Sequence, residues 1–388
     1  MLAFVTAMYT LLRPLLFALP PETAHDLTLL LLRMAQRVAL PLVRLLVARP
    51  AACLQQDLLG LTFPGPVGLA AGLDKNAALV PLFRALGFGA VEVGSVTARP
   101  AQGNPRPRVF RLPADRALIN RMGLPNVGAA VVAARLRGAG LRLRGLAPLG
   151  INVAKTHDPA ILGADAVADL CQSYQVLAPL CDYLVLNVSC PNTQDGRTFE
   201  EPDALDGLLQ AVRGCAPRGP SVPLLLKLAP PPAEALSDGG DLRPEHRCAG
   251  RLAEILAVAR AHDIRGLVLG NTAPDRPSDL HTPRARLTAV GAGGLSGPPL
   301  APRHLALLRH CYRATRAQGW TPVLIGTGGV DSPAAAYQRL RAGASLVQIY
   351  TALIYEGPGL LGRIYQGLER ELERDGYARL SDAIGSQV

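Results

Sequence analysis

Eight short apolar runs recur along the chain after about residue 60, and most end at Gly, Asn, Ser or Lys before a stretch of helical character. The runs are VGLAAG (67–72), GAVEVGS (89–95), LGINVAK (149–155), YLVLNVS (183–189), PLLLKLA (223–229), GLVLGNT (266–272), PVLIGTGG (322–329) and SLVQIYT (345–351). Apolar strands that alternate with helices are typical of a parallel sheet covered on both faces. Eight such units predict an α/β fold, a (β/α)8 TIM barrel. The alternative, an open doubly wound sheet, normally carries a glycine-rich fingerprint after its first strand, and AAGLDKN is not that motif.

The first fifty residues follow a different pattern, rich in leucine, with arginines at intervals and prolines that divide the segment. They predict two short helices, at roughly 4–18 and 22–38. No uncharged run reaches the ~18 residues that a membrane span needs, and no secretory signal is recognisable. Such a helix pair either lies in a membrane interface or packs on the main domain as a cap. We therefore divide the chain into a helical head, residues 1–50, and a barrel, residues 51–388.

Two connections between the predicted strands are too long for simple helices. Residues 96–147 and 273–297 are rich in Pro, Arg or Gly, and both follow strand ends. Long irregular insertions in a compact domain are usually lids or binding loops, and barrel enzymes build their sites at the carboxyl ends of the strands.

The composition limits the kinds of ligand and partner that the protein is expected to bind. The net charge of +10 favours anionic ligands, but the arginines are scattered and aromatic residues make up only 4% of the chain, so no nucleic-acid module is indicated. The seven cysteines show no metal-binding spacing and the histidines form no H-x-x-x-H motif, so we predict reduced thiols and no metal site.

The scarce polar residues gather at the predicted strand ends. Of 40 basic residues only Lys75, Lys155 and Lys227 are lysine, and a barrel would bring them to one rim. Because lysine is a compact point charge, this placement indicates anionic atoms in a confined site. Asparagines share the rim or the first insertion, and amides suit a ring edge that alternates N–H and C=O, such as a pyrimidine or an isoalloxazine; they are Asn120, Asn152, Asn187, Asn192 and Asn271.

Glycine-rich loops after the last two strands indicate a phosphate site. GTGGV follows strand seven, YTALIYEGPG begins at the end of strand eight, and AGGLSG (292–297) adds a third loop. Barrels often bind phosphate with these loops, so a phosphate with a ring over the barrel axis predicts FMN, with Lys227 balancing charge on the reduced ring. Cys190, just beyond strand four in VLNVSCPNTQDGR, is a candidate proton acceptor if nearby positive charge lowers the pKa of its thiol. The alternative is a small buried thiol, which is the better interpretation for the other six cysteines.

The motifs together resemble a known family. GLAAGLDKN, VEVGSVTARPAQGNPRPRVFRL, INRMGLPN, LNVSCPNT, KLAP, GGLSGPPL, GTGGVDS and GASLVQIYTALIYEGP are similar to segments of the dihydroorotate dehydrogenases, over about residues 1–366. The head and NPRPRVFRL resemble the class 2 members. The resemblance implies oxidation of dihydroorotate to orotate through FMN, electron transfer to a membrane quinone, and peripheral attachment to the cytoplasmic face of a bacterial inner membrane. A class 1-like enzyme with a soluble acceptor and a non-catalytic flavin- or phosphate-binding barrel remain as alternatives.

The resemblance also implies residue roles. The base Cys190 would take a proton from C5 as hydride leaves C6, and His25 and Arg111 would line a quinone tunnel between head and barrel. FMN would contact Ala71, Gly72, Leu73, Asp74, Lys75, Ser95, Asn152, Asn187, Lys227, Gly270, Gly297, Gly329, Tyr350 and Thr351. The substrate would be held by Lys75, Asn120, Arg121, Met122, Gly123, Leu124, Asn187, Asn192, Asn271 and Thr272.

Two positions depart from the class 2 pattern. Cys190 stands where class 2 enzymes have serine, and cysteine is the usual residue of class 1 enzymes at this position. Gly270 stands where threonine is usual, which removes one side-chain hydrogen bond to the flavin.

Overall fold

Eight parallel strands close into a barrel in a computed structural model that describes residues 2–47, 49–139, 147–189, 199–217 and 221–388. The strands are β3 (Val67–Leu69), β4 (Ala90–Val96), β7 (Leu149–Val153), β8 (Tyr183–Asn187), β9 (Leu224–Leu228), β10 (Gly266–Leu269), β12 (Val323–Gly326) and β13 (Leu346–Ile349). The barrel closes where Val67 of β3 pairs with Val347 of β13. All eight runs identified in the sequence are barrel strands, so the predicted fold is confirmed.

Helices cover the outside of the barrel and pack against the outward-facing apolar side chains of the strands. The helices that follow the eight strands are α3 (Val80–Ala85), α4 (Ala129–Ala139), α5 (Gly163–Leu177), α6 (Pro202–Gly214), α7 (Arg247–Ala261), α9 (Ala301–Ala317), α10 (Pro333–Arg341) and α12 (Gly359–Asp375). Three short helices complete this part of the chain: α8 (Arg284–Val290), α11 (Thr351–Glu356) and α13 (Leu380–Ala383).

A hairpin of β1 (Gln56–Leu58) and β2 (Leu61–Phe63) closes the amino-terminal mouth of the barrel. Phe63 of β2 is fully buried against Tyr183, Ala90 and Leu346, which are the first residues of their strands. This end of the barrel is therefore filled by apolar side chains, and the polar residues collect at the opposite, carboxyl end.

The two long insertions form one small sheet, which the sequence did not predict. The first insertion contributes β5 (Val109–Leu112) and β6 (Ala117–Asn120), and the second contributes β11 (Gly294–Ser296). β6 pairs with both neighbours in antiparallel fashion, with Leu118 opposite Ser296. The insertions are therefore a single structural unit above the rim of the barrel.

The head consists of two helices, α1 (Leu2–Ala18) and α2 (Pro21–Leu46). The predicted end of the second helix at about residue 38 is wrong, because the helix continues through Pro41 to Leu46. A proline inside a helix removes one hydrogen bond, but Val43 beyond it packs against the core. No helix of the described residues is both long and apolar enough to span a bilayer.

The head packs on the barrel and also presents apolar side chains to solvent. The Tyr9 hydroxyl donates to the carbonyl of Ile354 at 2.6 Å, and Arg13 donates to the carbonyl of Tyr355 at 2.8 Å. Nine of the twelve large hydrophobic side chains that are exposed in the described residues lie on these two helices: Met8, Leu11, Leu12, Leu15, Leu27, Leu30, Leu31, Met34 and Val38. Their helical spacing places them on one stripe of each helix.

Candidate active site

A chain of hydrogen-bonded side chains crosses the carboxyl end of the barrel. The Ser95 hydroxyl donates to Asn152 Oδ1 at 2.5 Å and accepts from Asn187 Nδ2 at 3.2 Å. Asn271 Nδ2 in turn donates to Asn187 Oδ1 at 3.3 Å and to Ser189 Oγ at 2.9 Å. The structure therefore brings together Ser95, Asn152, Asn187 and Asn271, which the sequence assigned to one site.

A buried carboxyl group anchors one end of this chain. Glu92 of β4 is completely buried and accepts from Asn152 Nδ2 at 2.9 Å and from Gln348 Nε2 at 2.5 Å. Both oxygens are thus engaged, and the Asn152 amide is fixed in one orientation. Sequence reasoning missed Glu92 and Gln348. A glutamate within the apolar run GAVEVGS was the available signal, because buried charged groups require partners.

The three lysines have different environments. Lys227 of β9 is buried at the rim and is paired in register with Asn187 of the neighbouring strand. Lys75 follows β3 and donates to the Gly72 carbonyl at 2.7 Å. Lys155, in contrast, donates to the carbonyls of Asp158 and Ile161 at 3.3 and 2.8 Å. Its ammonium therefore stabilises its own loop, which is a structural role that the lysine pattern did not predict.

Burial changes the charge behaviour of Lys75. Removal from water lowers its pKa to about 8 from an ordinary 10.5, and Asp26 and Asp74 only partly oppose that effect. Asp74 is also buried, which raises its pKa, while its oxygens accept from the amides of Ala78 and Leu79 at 2.9 and 2.7 Å. Asp74 thus shapes the turn that carries Lys75, next to the half-buried Ala71 and Leu73.

Only glycine fits at two positions of the predicted phosphate loops. Gly297 has a φ of +112°, and a Cβ there would lie 3.0 Å from the Ala117 Cα. A Cβ on Gly329, at φ +64°, would lie 2.6 Å from the Ala301 Cβ. The protein's own atoms exclude a side chain at both positions, and the positive φ of both glycines is a conformation in which backbone amides can face an anion.

The adjoining residues after β13 are also enclosed. Thr351 Oγ1 donates to Ser296 Oγ at 2.9 Å, which links this loop to β11. Burial raises the pKa of Tyr350 to about 12, so this phenol stays neutral. A Cβ on Gly72 would lie 3.2 Å from the Tyr350 ring.

The segment from Asn120 to Leu124 forms a loop with its backbone held from both sides. Asn120 Nδ2 donates to the Gly294 carbonyl at 3.4 Å, and the Met122 carbonyl accepts from the Asn104 amide at 3.0 Å. Gly123 and Leu124 both have positive φ, at +69° and +53°.

The side chain of Arg121 is not available to a substrate in this loop. Its Nη1 donates to the carbonyls of Val290 and Ala292 at 2.6 and 2.8 Å, and its guanidinium lies over the Phe110 ring. The contribution expected of Arg121 is therefore limited to its backbone. Thr272, in contrast, stands beside Asn271, whose Oδ1 accepts from the Thr272 amide at 2.9 Å.

His25 and Arg111 both lie where the head meets the barrel. Burial, together with the charge of nearby Lys75, lowers the pKa of His25 to about 4. Arg111 of β5 donates to the carbonyls of Leu16, Phe17 and Leu19, which come from the carboxyl-terminal end of α1 and the turn after it. The buried pair of Arg108 and Glu22, 2.7 Å apart, joins the same insertion to α2.

The departure at Gly270 has a structural counterpart that sequence reasoning missed. Gly270 has a φ of +117°, and a Cβ there would lie 2.2 Å from Nδ1 of His304, a buried residue of α9. A bulkier residue at position 270 would thus collide with an imidazole that already occupies the space. Cys190 and Asn192 lie outside the described residues.

These residues fit FMN on two observations. Gln348 Oε1 is buried in the site region without a hydrogen-bond partner, and such an orphaned polar atom is normally satisfied by a ligand or water. Gly297 and Gly329 also have positive φ, at +112° and +64°, a backbone conformation in which successive amides can form an anion-binding concavity.

Known proteins of one family match almost the whole chain. The family profile described as dihydroorotate dehydrogenase matches residues 53–372. The dihydroorotate dehydrogenase (quinone) of Sphingopyxis alaskensis is 44% identical over 382 residues, which cover 98% of this chain and 97% of that protein. The enzyme of the same name from Anaeromyxobacter dehalogenans is 45% identical over 380 residues, with the same two coverages.

Solved structures agree with these relatives. The ligand-free DHODH from Eimeria tenella has a TM-score of 0.79 and 34% identity, and the match covers 94% of this chain and 99% of that one. The complex of Eimeria tenella DHODH with ferulenol has a TM-score of 0.78 and 32% identity, covering 94% of this chain and 95% of that one.

Proposed function

This chain belongs to the dihydroorotate dehydrogenase family, and from that premise we propose how its own residues serve the reaction. It oxidises dihydroorotate to orotate in pyrimidine biosynthesis, depends on FMN, and uses a quinone as electron acceptor. The observation that carries the assignment of the site is the row of amides on Asn152, Asn187 and Asn271, hydrogen-bonded through Ser95 and Ser189 across neighbouring strand ends.

Two groups of residues would hold FMN. When bound, the coenzyme supplies the redox chemistry, accepting two electrons from the substrate and passing them to the quinone. Its ring would lie against Ala71–Lys75, Ser95, Asn152, Asn187 and Lys227, whose ammonium offsets negative charge on the reduced ring. Its phosphate would be bound by the loops at Gly297, Gly329, Tyr350 and Thr351, because glycine backbones with positive φ expose amides to an anion. Gly270 would contribute backbone only.

The substrate is a small cyclic anion, and the remaining polar groups match it. Lys75 would pair with the carboxylate, and the amides of Asn187, Asn192 and Asn271 would bind the alternating N–H and C=O groups of the ring. The backbone of Asn120–Leu124 and Thr272 would enclose the ring from the insertion side. Arg121 would act through its main chain, since its guanidinium is engaged elsewhere.

Proton removal is assigned to Cys190. Its thiolate would accept the proton from C5 while the hydride leaves C6, so that the ring loses one proton and one hydride and gains the double bond. A thiol titrates far nearer neutrality than a serine hydroxyl does, so turnover here should depend less on high pH than in class 2 enzymes with serine.

Anaerobic mixing tests the whole assignment. Dihydroorotate should bleach the visible flavin absorbance of the purified protein, and a quinone added afterwards should restore it. Bleaching that is reversed only by a soluble acceptor would contradict the quinone assignment. A protein that contains flavin but is not bleached would be a binding protein rather than an enzyme.

The head is proposed to attach the enzyme peripherally to the cytoplasmic face of the bacterial inner membrane. The exposed apolar stripes of α1 and α2 support this, because surface helices with such stripes bury them in the lipid interface. His25 and Arg111 would line the quinone path between the head (residues 1–50) and the barrel (residues 51–388). Deletion of residues 1–50 should abolish reduction of a long-chain quinone and spare flavin binding. Undiminished quinone reduction by the truncated protein would exclude this role.

A further inference from the structure

His304 lies at the contact between two strand ends of the barrel, behind the proposed phosphate loop. It belongs to α9 and is 3% exposed. Its Nδ1 is 3.0 Å from the Thr327 carbonyl oxygen and 3.3 Å from the Thr327 hydroxyl. That hydroxyl donates in turn to the carbonyls of Leu269 and Gly270 at 3.0 and 3.1 Å. The imidazole thus connects the loop after β12 with the end of β10.

The imidazole occupies space that two glycines leave for it. A Cβ on Gly270 would lie 2.2 Å from His304 Nδ1, and a Cβ on Gly328 would lie 2.0 Å from the same atom. Real Cβ atoms do not approach another atom so closely, and both glycines also have positive φ. Gly270, Gly328 and His304 therefore form a set in which the ring depends on the absence of both side chains.

The protonation state of the ring defines its hydrogen bonds. Burial, together with the charges of Arg339 and Arg303, lowers the pKa of His304 to about 3. The imidazole is therefore neutral at physiological pH, and Nδ1 carries the proton that is donated to the Thr327 carbonyl. Nε2 is left as an acceptor and makes no hydrogen bond.

A second side chain holds the next carbonyl of the same loop. Arg339 of α10 is buried, and its Nη2 donates to the Gly328 carbonyl while Nη1 donates to the Ala335 carbonyl at 2.8 Å. In a trans peptide the N–H points opposite to the C=O. With the carbonyls of Thr327 and Gly328 held from behind, the amides of Gly328 and Gly329 face away from His304 and Arg339.

We propose that His304 is a positioning residue for the phosphate of the cofactor. Its imidazole holds the Thr327 carbonyl, so that the Gly328 amide is presented to the phosphate. The proposal rests on the proposed function only in placing the phosphate at this loop. Position 270 is glycine in this chain because the His304 imidazole fills the volume that a side chain would take. Gly270 and His304 therefore form one structural pair.

Two variants of the full-length protein separate hydrogen bonding from space filling. His304→Asn retains an N–H at the same place, whereas His304→Leu fills the space without a donor. After removal and re-addition of flavin, the dissociation constants of FMN and of riboflavin are measured by quenching of flavin fluorescence. Riboflavin lacks the phosphate, so it reports on the ring site alone.

We expect His304→Leu to weaken FMN binding about tenfold, the value of one lost hydrogen bond, and to leave riboflavin binding within about twofold. His304→Asn should restore most of the FMN affinity. Leu308→Ala, also buried in α9, is the matched control: it should lower the melting temperature and leave the ratio of the two dissociation constants unchanged.

Equal FMN affinity in the leucine variant, or equal weakening of FMN and riboflavin, would overturn the positioning role. A wild-type protein that bound no FMN would instead refute the proposed function. Should the leucine variant not fold, Gly270→Ala gives the same information from the other side. The added methyl should displace the imidazole and weaken FMN binding by a larger factor than riboflavin binding, and an unchanged FMN dissociation constant would contradict the proposal.

Discussion

The lowered pKa of Lys75 predicts a specific pH dependence of orotate binding. The ammonium is enclosed by the protein although part of its surface remains accessible, and its pKa falls to about 8 from 10.5. A carboxylate placed against Nζ would restore the charged form. Binding should therefore be accompanied by proton uptake wherever the free enzyme carries a neutral Lys75 and the complex carries a charged one.

The size of the effect follows from the pKa difference. The values 10.5 and about 8 differ by about 2.5 units, which corresponds to about 3 kcal/mol at 1.36 kcal/mol per unit. Below pH 8 the orotate dissociation constant should be constant. Above pH 8 it should rise about tenfold per pH unit, to a limit of a few hundredfold near pH 10.5.

The assay is a titration of the holoenzyme with orotate, followed by the change in flavin absorbance, at pH values from 7 to 10. Lys75→Arg is the control, because arginine stays charged over this range and any ionisation of orotate itself affects both proteins equally. Lys75→Met should bind weakly at every pH. A ratio of wild-type to Lys75→Arg dissociation constants that does not change with pH would refute the pairing of Lys75 with the carboxylate.

Three further predictions concern single side chains. Glu92→Ala should lower the free energy of unfolding by about 4 kcal/mol, because it leaves the amides of Asn152 and Gln348 without an acceptor and opens a cavity. Glu92→Gln should lower it by about half as much. Equal losses of the two variants in urea unfolding would contradict the hydrogen-bond account. His25 has a pKa of about 4 when folded and 6.5 when unfolded, so the unfolded chain takes up the proton first, and the protein should lose up to about 3 kcal/mol as pH falls from 6.5 to 4; His25→Asn should show a smaller loss in the same titration. The pH profile of kcat/KM should rise with a thiol-like midpoint and lose that midpoint in Cys190→Ser, and an unaltered profile in that variant would exclude Cys190 as the base.

The barrel could be predicted from the sequence because each of its strands is buried on both faces. That burial leaves a local signature, an apolar run that stops at a polar or glycine residue, and the signature needs no knowledge of the partner strand. Asn152 and Asn187 could be placed for the same reason, since each interrupts or ends a run at the carboxyl end of its strand.

The features that sequence reasoning missed depend on partners distant in the chain. Leu118 pairs with Ser296 through a sheet whose strands come from different insertions, and no local pattern encodes such a pairing. His304 lies in an ordinary amphipathic helix, and its role emerges only when Gly270 is brought against it. The sequence pattern places the end of α2 too early, because the packing of Val43 against the core outweighs the helix-breaking effect of Pro41.

The small sheet of β5, β6 and β11 connects the head with the site. Arg111 of β5 donates hydrogen bonds to main-chain carbonyls at the end of α1. β6 ends at Asn120, and β11 ends at Ser296, beside the loop of Gly297. Backbone hydrogen bonds make these strands one stiff plate. The first helix is therefore joined to Asn120 and to the Gly297 loop through one arginine and two strand pairings, so the head and the reaction chamber share a single frame.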